Sequence, residues 1–299
     1  MDRPPLIFDH RLLDLRRRRA LRKPNSGADF LYRAAVQELV ERLSAVSRDF
    51  PLAAEIGSPL PGLAAALVAT GQVGRVVRLD RLLEARPDVA ADPEALPLKP
   101  GSLDLVVSLL ALQWVNDLPG ALAQILAALK PDGLFLAALA GGDTLTELRQ
   151  ALAAAEADVR GGTSPRVAPF ADVRALGALL QRVGFALPVA DQDRHTVRYA
   201  SPVALMRDLR AMGATSVLTE RDPRPLRRAV LARAAEIYGQ RFAGADGRVN
   251  ATFDLVWLSG WSPHESQQKP LRPGSAKTRL ADALGVAERA AGDRVPRRG

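Results

Sequence analysis

Four carboxylates and a glycine fall just after apolar runs that read as strands, which is where an α/β chain does its chemistry. Glu55 stands in Leu52-Ala-Ala-Glu-Ile56 and is followed by Gly57-Ser-Pro-Leu-Pro-Gly62; Asp80 ends the run from Val73 to Leu79; Asp92 and Glu94 follow Val89 to Ala91. In an open α/β sheet a ligand binds outside the carboxyl ends of the strands, where strand order reverses, and an acid at the end of the second strand accepts hydrogen bonds from ribose hydroxyls. Asp80 occupies that place; the same residue type also serves as a turn residue or helix cap. Gly57 permits close backbone approach to a ligand, whereas Pro59 and Pro61 add rings and remove backbone donors. The prolines suit an ordered entry into the following helix equally well. Asp193, His195 and Tyr199 form the one cluster suited to proton transfer in the later part of the chain, and Trp114, after Gln113, offers a ring for a ligand or for the core.

Other chemistries are excluded or left unsupported. The 299 residues contain no cysteine, which rules out disulfides, thiolate metal sites, iron–sulfur ligation and a cysteine nucleophile. Three histidines, His10, His195 and His264, are too scattered to signal a metal site by local spacing. There is no Gly-x-Ser-x-Gly, no phosphate loop and no run approaching the ~18 apolar residues of a membrane helix. The first twenty residues lack an apolar stretch and carry three aspartates, so a cytoplasmic protein is expected. The net charge of +8 would suit a nucleic acid or an acidic membrane, and Arg16 to Arg19 concentrate it. No aromatics interleave that run, so a solvated helix face over the core is the favoured reading.

Apolar periodicity along the chain gives the elements that must position these residues. Helices are expected at Leu12 to Leu21 and Phe30 to Val46, where Leu31, Ala35, Leu39 and Leu43 share a stripe. Strands at Leu52 to Ile56, Val73 to Leu79 and Val89 to Ala91 alternate with helices at Leu63 to Ala69 and Leu82 to Ala85. The stretch from Leu103 to Ala140 reads as strand (Leu103 to Leu109), polar crossing, helix (Leu118 to Leu129), Pro-Asp-Gly turn and strand (Leu134 to Ala140). Helices at Thr144 to Ala157 and Val173 to Val183 follow, then a strand from Phe185 to Ala190, helices at Pro202 to Met212 and Arg224 to Tyr238, and a strand from Ala251 to Leu258. Such alternation predicts an α/β fold with a doubly wound, mostly parallel sheet. A further helix is expected at Thr278 to Leu284, in a tail rich in proline, glycine and basic residues.

The wording Asp92-Pro-Glu-Ala-Leu-Pro, Ser102-Leu-Asp-Leu-Val-Val-Ser108, Gln113-Trp114 and Leu129-Lys-Pro-Asp-Gly133 resembles the class I S-adenosylmethionine-dependent methyltransferases, especially the malonyl-acyl-carrier-protein methyltransferase branch. The resemblance implies a Rossmann-like domain over residues 49–262, an N-terminal helical cover over 1–48, an insertion lid over 195–245 before the last strand, and a mobile basic tail over 263–299. It also implies that Glu55 holds the cofactor's amino group, Gly57 is the first motif glycine, Asp80 binds ribose, Asp92 with its neighbour Glu94 reads adenine, and Ser108 and Leu109 line the methionine end. Pro59 and Pro61 replace the other two motif glycines, so cofactor binding is expected to be weakened.

A narrower resemblance rests on Phe8-Asp9-His10, Leu139-Ala-Gly-Gly-Asp-Thr-Leu-Thr-Glu-Leu-Arg149, Ser164-Pro-Arg-Val-Ala-Pro-Phe170, Met206-Arg-Asp-Leu-Arg-Ala-Met-Gly-Ala214 and Gly260-Trp261. These are similar to the bacterial relatives of mitochondrial complex I assembly factor 5, a methyltransferase-fold family regarded as arginine hydroxylases. It implies a protein substrate among the complex I subunits and peripheral membrane association through that complex. The expectation is therefore a methyltransferase-family enzyme modifying a protein during complex I assembly, with an arginine hydroxylase or a non-catalytic assembly chaperone as alternatives. As catalytic residues, His195, Tyr199 and Trp114 are the candidates.

Overall fold

The computed structural model describes residues 6–22, 27–268, 282, 285 and 286. The expected helix at Thr278 to Leu284 lies almost wholly outside the described residues. One compact unit ends at His264 and holds every strand of the sheet.

Two helices, α1 (His10–Arg22) and α2 (Phe30–Ser44), precede the sheet. The strands are β1 (Phe50–Ile56), β2 (Val73–Asp80), β3 (Val89–Ala90), β4 (Leu103–Leu109), β5 (Leu129–Ala140), β6 (Ala186–Tyr199) and β7 (Val249–Trp261). Between them lie α3 (Leu63–Ala69), α4 (Leu118–Ala128), α5 (Thr146–Arg160), α6 (Val173–Val183), α7 (Pro202–Ala211) and α8 (Arg228–Phe242). Strand order is β3-β2-β1-β4-β5-β7-β6; β1 to β5 run parallel and β7 is antiparallel to both its neighbours. Order reverses between β1 and β4, and this sets where a ligand site belongs.

Period-two alternation sorts the central strands onto two cores. Ala54 and Val106 face the layer of α4 and α6 with Leu122, Ile125, Leu176 and Leu180, while Ala53, Leu105 and Val107 face α2 and α3 with Leu39, Leu43, Leu63 and Leu67. Burial on both faces explains why these strands read as unbroken apolar runs. Local signals set the helix ends: Asp117 caps α4 by accepting from Gly120 N at 2.8 Å, Asp172 caps α6 by accepting from Ala175 N at 2.7 Å, and Gly184 ends α6 with φ +103°. A third core joins α5, α7 and α8 to β7.

Two expectations need correction. Pro131-Asp132-Gly133 does not separate a helix from a later strand: β5 begins at Leu129, and the irregularity is absorbed as a register shift against Leu103 to Leu105, with Asp132 at φ +63°. The strand expected to stop at Ala190 continues to Tyr199, so the connection between the last two strands begins after Tyr199 and not at residue 195. Its charged, alternating sequence belongs to the outermost strand of the sheet, where one row of side chains meets solvent. Arg42 of α2 pairs with Asp191 at 2.6 Å and Asp193 at 3.3 Å on it.

Candidate cofactor cavity

A cavity of about 480 Å³ opens at the carboxyl ends of β1, β2, β4 and β5, over the point where strand order reverses. Strand-end loops contribute Gly57, Pro59, Asp92, Pro93, Ala111 and Trp114 to its wall; α1 contributes Leu13 and Arg17; the turn after α7 contributes Met212 to Ala214. Its size and mainly apolar wall with a few polar groups suit a small-molecule ligand.

The loop after β1 is built tightly. Gly57 N donates to Leu79 O at 2.8 Å, Tyr32 Oη donates to Leu60 O at 2.7 Å, and Gly57 has φ +68°. A Cβ on Gly57 would lie 3.0 Å from Ala111 Cβ, so glycine is needed there for both conformation and space. Only one of the two prolines reaches the cavity: Pro59 lines it, whereas Pro61 and Gly62 are exposed beside the start of α3. The expected damage to the loop therefore reduces to a single ring. Two non-glycine residues of the wall, Leu110 (φ +54°) and Leu145 (φ +56°), hold left-handed backbone that costs on the order of 1–2 kcal/mol each. Strain of this kind concentrates at functional sites.

The carboxylates expected to bind a cofactor are placed unevenly. Asp92 lines the cavity; its Oδ1 accepts from Glu94 N at 2.9 Å and its Oδ2 from Arg81 at 2.9 Å. Asp80 is buried and gripped by Arg17, at 3.2 Å and 2.7 Å to its two oxygens. Glu55 does not line the cavity: it lies at 1% exposure beneath the loop, 3.3 Å from Arg78, and burial pushes its carboxyl up despite that guanidinium. Glu94 turns away to the backbone of Asn116 and Asp117, and Ser108 donates to Ile56 O at 2.8 Å from full burial. Leu109 is a core residue. The physical reason is alternation: along a strand, adjacent side chains point to opposite faces, so a strand-end position does not by itself aim a side chain at the ligand.

Of the catalytic candidates, Trp114 alone lines the cavity, edge-on to Phe8 (5.6 Å between ring centroids) and Phe170 (5.8 Å). His195 instead lines a separate small cleft with Glu38 and Trp257, and Tyr199 is buried in the α5–α8 core, where burial and then Asp208 push its hydroxyl up. The cluster expected at Asp193, His195 and Tyr199 is thus a stretch of β6 remote from the cavity.

Residues whose part was not foreseen complete the wall. His10 lines it, with Nδ1 receiving a hydrogen bond from Arg81 (2.8 Å), which leaves Nε2 to donate to Trp114 O (3.0 Å). Asn116 Oδ1 accepts from Ile7 N and Phe8 N, both at 2.8 Å, and the same segment pairs with Val217 to Thr219. The N-terminal segment is thereby clasped across the strand-end loops and the connection before β7. Phe8-Asp9-His10 was the one sequence signal for this arrangement.

Among the described residues there is no grouping of three or more histidine, aspartate or glutamate side chains that could hold a metal ion, and no helix is long and apolar enough to cross a membrane.

Comparison with known proteins agrees with this geometry. Residues 57–137 match the methyltransferase domain family model. The chain is 39% identical over 268 residues to the arginine-hydroxylase NDUFAF5 of Danio rerio, covering 86% of this chain and 83% of that protein. It is 40% identical over 198 residues to a malonyl-[acyl-carrier protein] O-methyltransferase of Laribacter hongkongensis, covering 66% and 64%. The YcgJ protein of Bacillus subtilis shares the fold, with a TM-score of 0.51 at 13% identity, covering 78% of this chain and 99% of that one. The expectation of a cytoplasmic protein is overturned, because the NDUFAF5 relatives are mitochondrial by name; the lack of a leader-like stretch says nothing of compartment. A seven-stranded sheet with its last strand antiparallel, a cavity at the strand ends and a match at 39% identity over 83% of the Danio rerio protein converge: this chain belongs to the methyltransferase-fold family of the arginine-hydroxylase NDUFAF5 proteins.

Proposed function

We propose that the chain binds S-adenosylmethionine in the strand-end cavity and modifies a side chain of a protein substrate during respiratory complex I assembly. The observation that carries this reading is the cavity itself: about 480 Å³ over the β1/β4 reversal, with Gly57 and Asp92 in its wall. Gly57 supplies the close backbone approach, Asp92 presents a carboxylate to an adenine amino group, and Pro93 and Leu110 offer apolar surface for a flat base. When bound, S-adenosylmethionine supplies an electrophilic methyl group. The chain's own part is positioning: Trp114, held by Phe8 and Phe170, and Met212 close the apolar end of the cavity and exclude water around an incoming side chain.

A second reading, hydroxylation of a protein arginine, is favoured by the name of the relatives, which match over a larger share of their length than the O-methyltransferase does. Calorimetry with S-adenosylmethionine and S-adenosylhomocysteine tests the binding step; measurable binding that is lost in Asp92→Ala is expected. Mass spectrometry of complex I subunits from cells with and without the gene separates the readings, since methylation adds CH2 and hydroxylation adds one oxygen. Unmodified subunits and a fully active complex in the deletion strain refute both.

A further inference from the structure

The acid that stands at the ribose position is already occupied. Arg17, midway along α1, donates to both oxygens of Asp80 at 3.2 Å and 2.7 Å, and its Nη2 also reaches Ser58 O at 3.4 Å. Asp80 is 2% exposed and the Arg17 side chain 13%, and a third hydrogen bond, from Leu82 N at 2.8 Å, fills Oδ1 further. Arg17 lines the cavity, and its guanidinium bridges the loop after β1 and the end of β2. Ribose hydroxyls would have to bind in that same place, because they too must reach Asp80.

A second observation comes from beneath the same loop. Glu55 is 1% exposed and its charge is met by Arg78 at 3.3 Å, while the Ser58 carbonyl above it is held by Arg17. The loop after β1 is thus held between two guanidiniums, Arg17 on the cavity side and Arg78 on the carboxylate beneath it.

We propose that Arg17 is a gate on the nucleoside end of the cavity: a ribose-bearing ligand reaches Asp80 only when Arg17 withdraws, and α1 is loosened from its seat as it does so. This rests on the reading that the cavity binds S-adenosylmethionine. By linkage, a contact that holds α1 down weakens the cofactor and one that draws α1 away strengthens it, and the cofactor changes the affinity of that contact by the same factor. α1 is well placed to receive such a contact, since Arg11, Leu15, Arg18, Arg19 and Arg22 are exposed on it.

The test is calorimetry of S-adenosylhomocysteine on wild type, Arg17→Met and Arg17→Lys, with thermal melts to establish that each is folded, and hydrogen exchange of the α1 amides in wild type with and without the ligand. Arg17→Met should bind roughly tenfold tighter, Arg17→Lys, which cannot fork onto both oxygens, should fall between, and saturation should speed exchange across α1. Folded Arg17→Met binding no tighter than wild type, or α1 becoming protected by the ligand, overturns the gate while the cofactor reading stands. Absence of binding by wild type and both variants overturns the cofactor reading and the gate together. Should Arg17→Met fail to fold, Arg17→Lys and the wild-type exchange data decide by the same criteria.

Discussion

Replacing Glu156 with glutamine should be among the most damaging single changes away from the cavity, and the network around it allows a magnitude. Glu156 is fully buried in α5 and accepts from Ser164 N (2.8 Å), Ser164 Oγ (3.3 Å), Arg166 Nε (2.9 Å), Arg166 Nη2 (2.6 Å) and Arg160 Nη1 (3.3 Å). Arg160 and Arg166 also approach Asp222, at 2.8 Å and 3.8 Å, so the cluster ties α5 to the loop leading to Phe170 and to the connection before β7. Removing the charge leaves the partly buried Arg166 without its main counterion and Arg160 with Asp222 alone, and breaking a buried pair such as Glu156–Arg166 costs about 3–5 kcal/mol. For a domain of this size each kcal/mol lowers Tm by about 2–4 °C, so a loss on the order of 6–20 °C is expected. pH provides the internal check. Burial pushes the Glu156 carboxyl up, but Arg166 and the Ser164 amide outweigh it and hold it below the ordinary range. A carboxylate whose folded pKa is depressed stabilises fully above its unfolded pKa of about 4.3 and loses that contribution as pH falls through the folded value. Urea titrations from pH 7.5 downward should therefore show a gap between wild type and Glu156→Gln that is constant above about pH 5 and narrows below about 4. A gap under about 0.5 kcal/mol at neutral pH, within the range of ordinary surface changes, would refute the reasoning. So would a gap that widens in acid.

Gly57→Ala should cost about 1–2 kcal/mol in urea unfolding through its positive-φ backbone alone, with the contact at Ala111 adding to it. Glu55→Gln should stabilise the protein at neutral pH, because a carboxyl raised by burial loses stability as pH climbs from about 4.3 through its folded value; thermal melts should show the gain at pH 7 and none below pH 4. Asn116→Ala removes the acceptor shared by Ile7 N and Phe8 N, so roughly 1–3 kcal/mol is at stake, and those two amides should exchange faster while β4 amides do not.

The bounds of β4, α3 and α6 match the expected ones to the residue, and each is set by local chemistry: an apolar run buried on both faces, a helix between Gly62 and Thr70, and a helix between Asp172 and Gly184. β6 was legible only as far as Ala190. Asp191 to Arg198 look like loop because their burial comes from Arg42, 149 residues away from Asp191, and from Asp254 on β7, which Arg194 meets at 3.0 Å. The cavity wall repeats the lesson. Gly57, Asp92 and Trp114 could be found because their neighbours in sequence announce a strand-end turn. Arg17 could not, since its partner Asp80 lies 63 residues on and nothing in an arginine-rich helix distinguishes the guanidinium that reaches it from its neighbours. Glu55 had the right type and spacing, and failed only on direction.

The antiparallel pairing of β5 with β7 has a consequence for the chain while it is being made. β5 meets β7 from Leu134↔Trp261 to Ala140↔Leu255, yet β7 begins 109 residues after Ala140. At ribosomal speeds of about 5–20 residues per second, roughly 5–20 s pass in which Leu134-Phe-Leu-Ala-Ala-Leu-Ala140 has emerged and its outer edge has no strand to pair with. That edge has no charge and no proline, the composition most prone to pair with another nascent chain. Completing the antiparallel pair of β6 and β7 buries it and leaves β6, with Asp191, Asp193, Arg194 and Arg198, as the border of the finished sheet. Any messenger truncated before codon 249 would deliver a polypeptide with its most adhesive strand permanently uncovered, so such products should reach inclusion bodies or proteases instead of persisting as soluble half-domains.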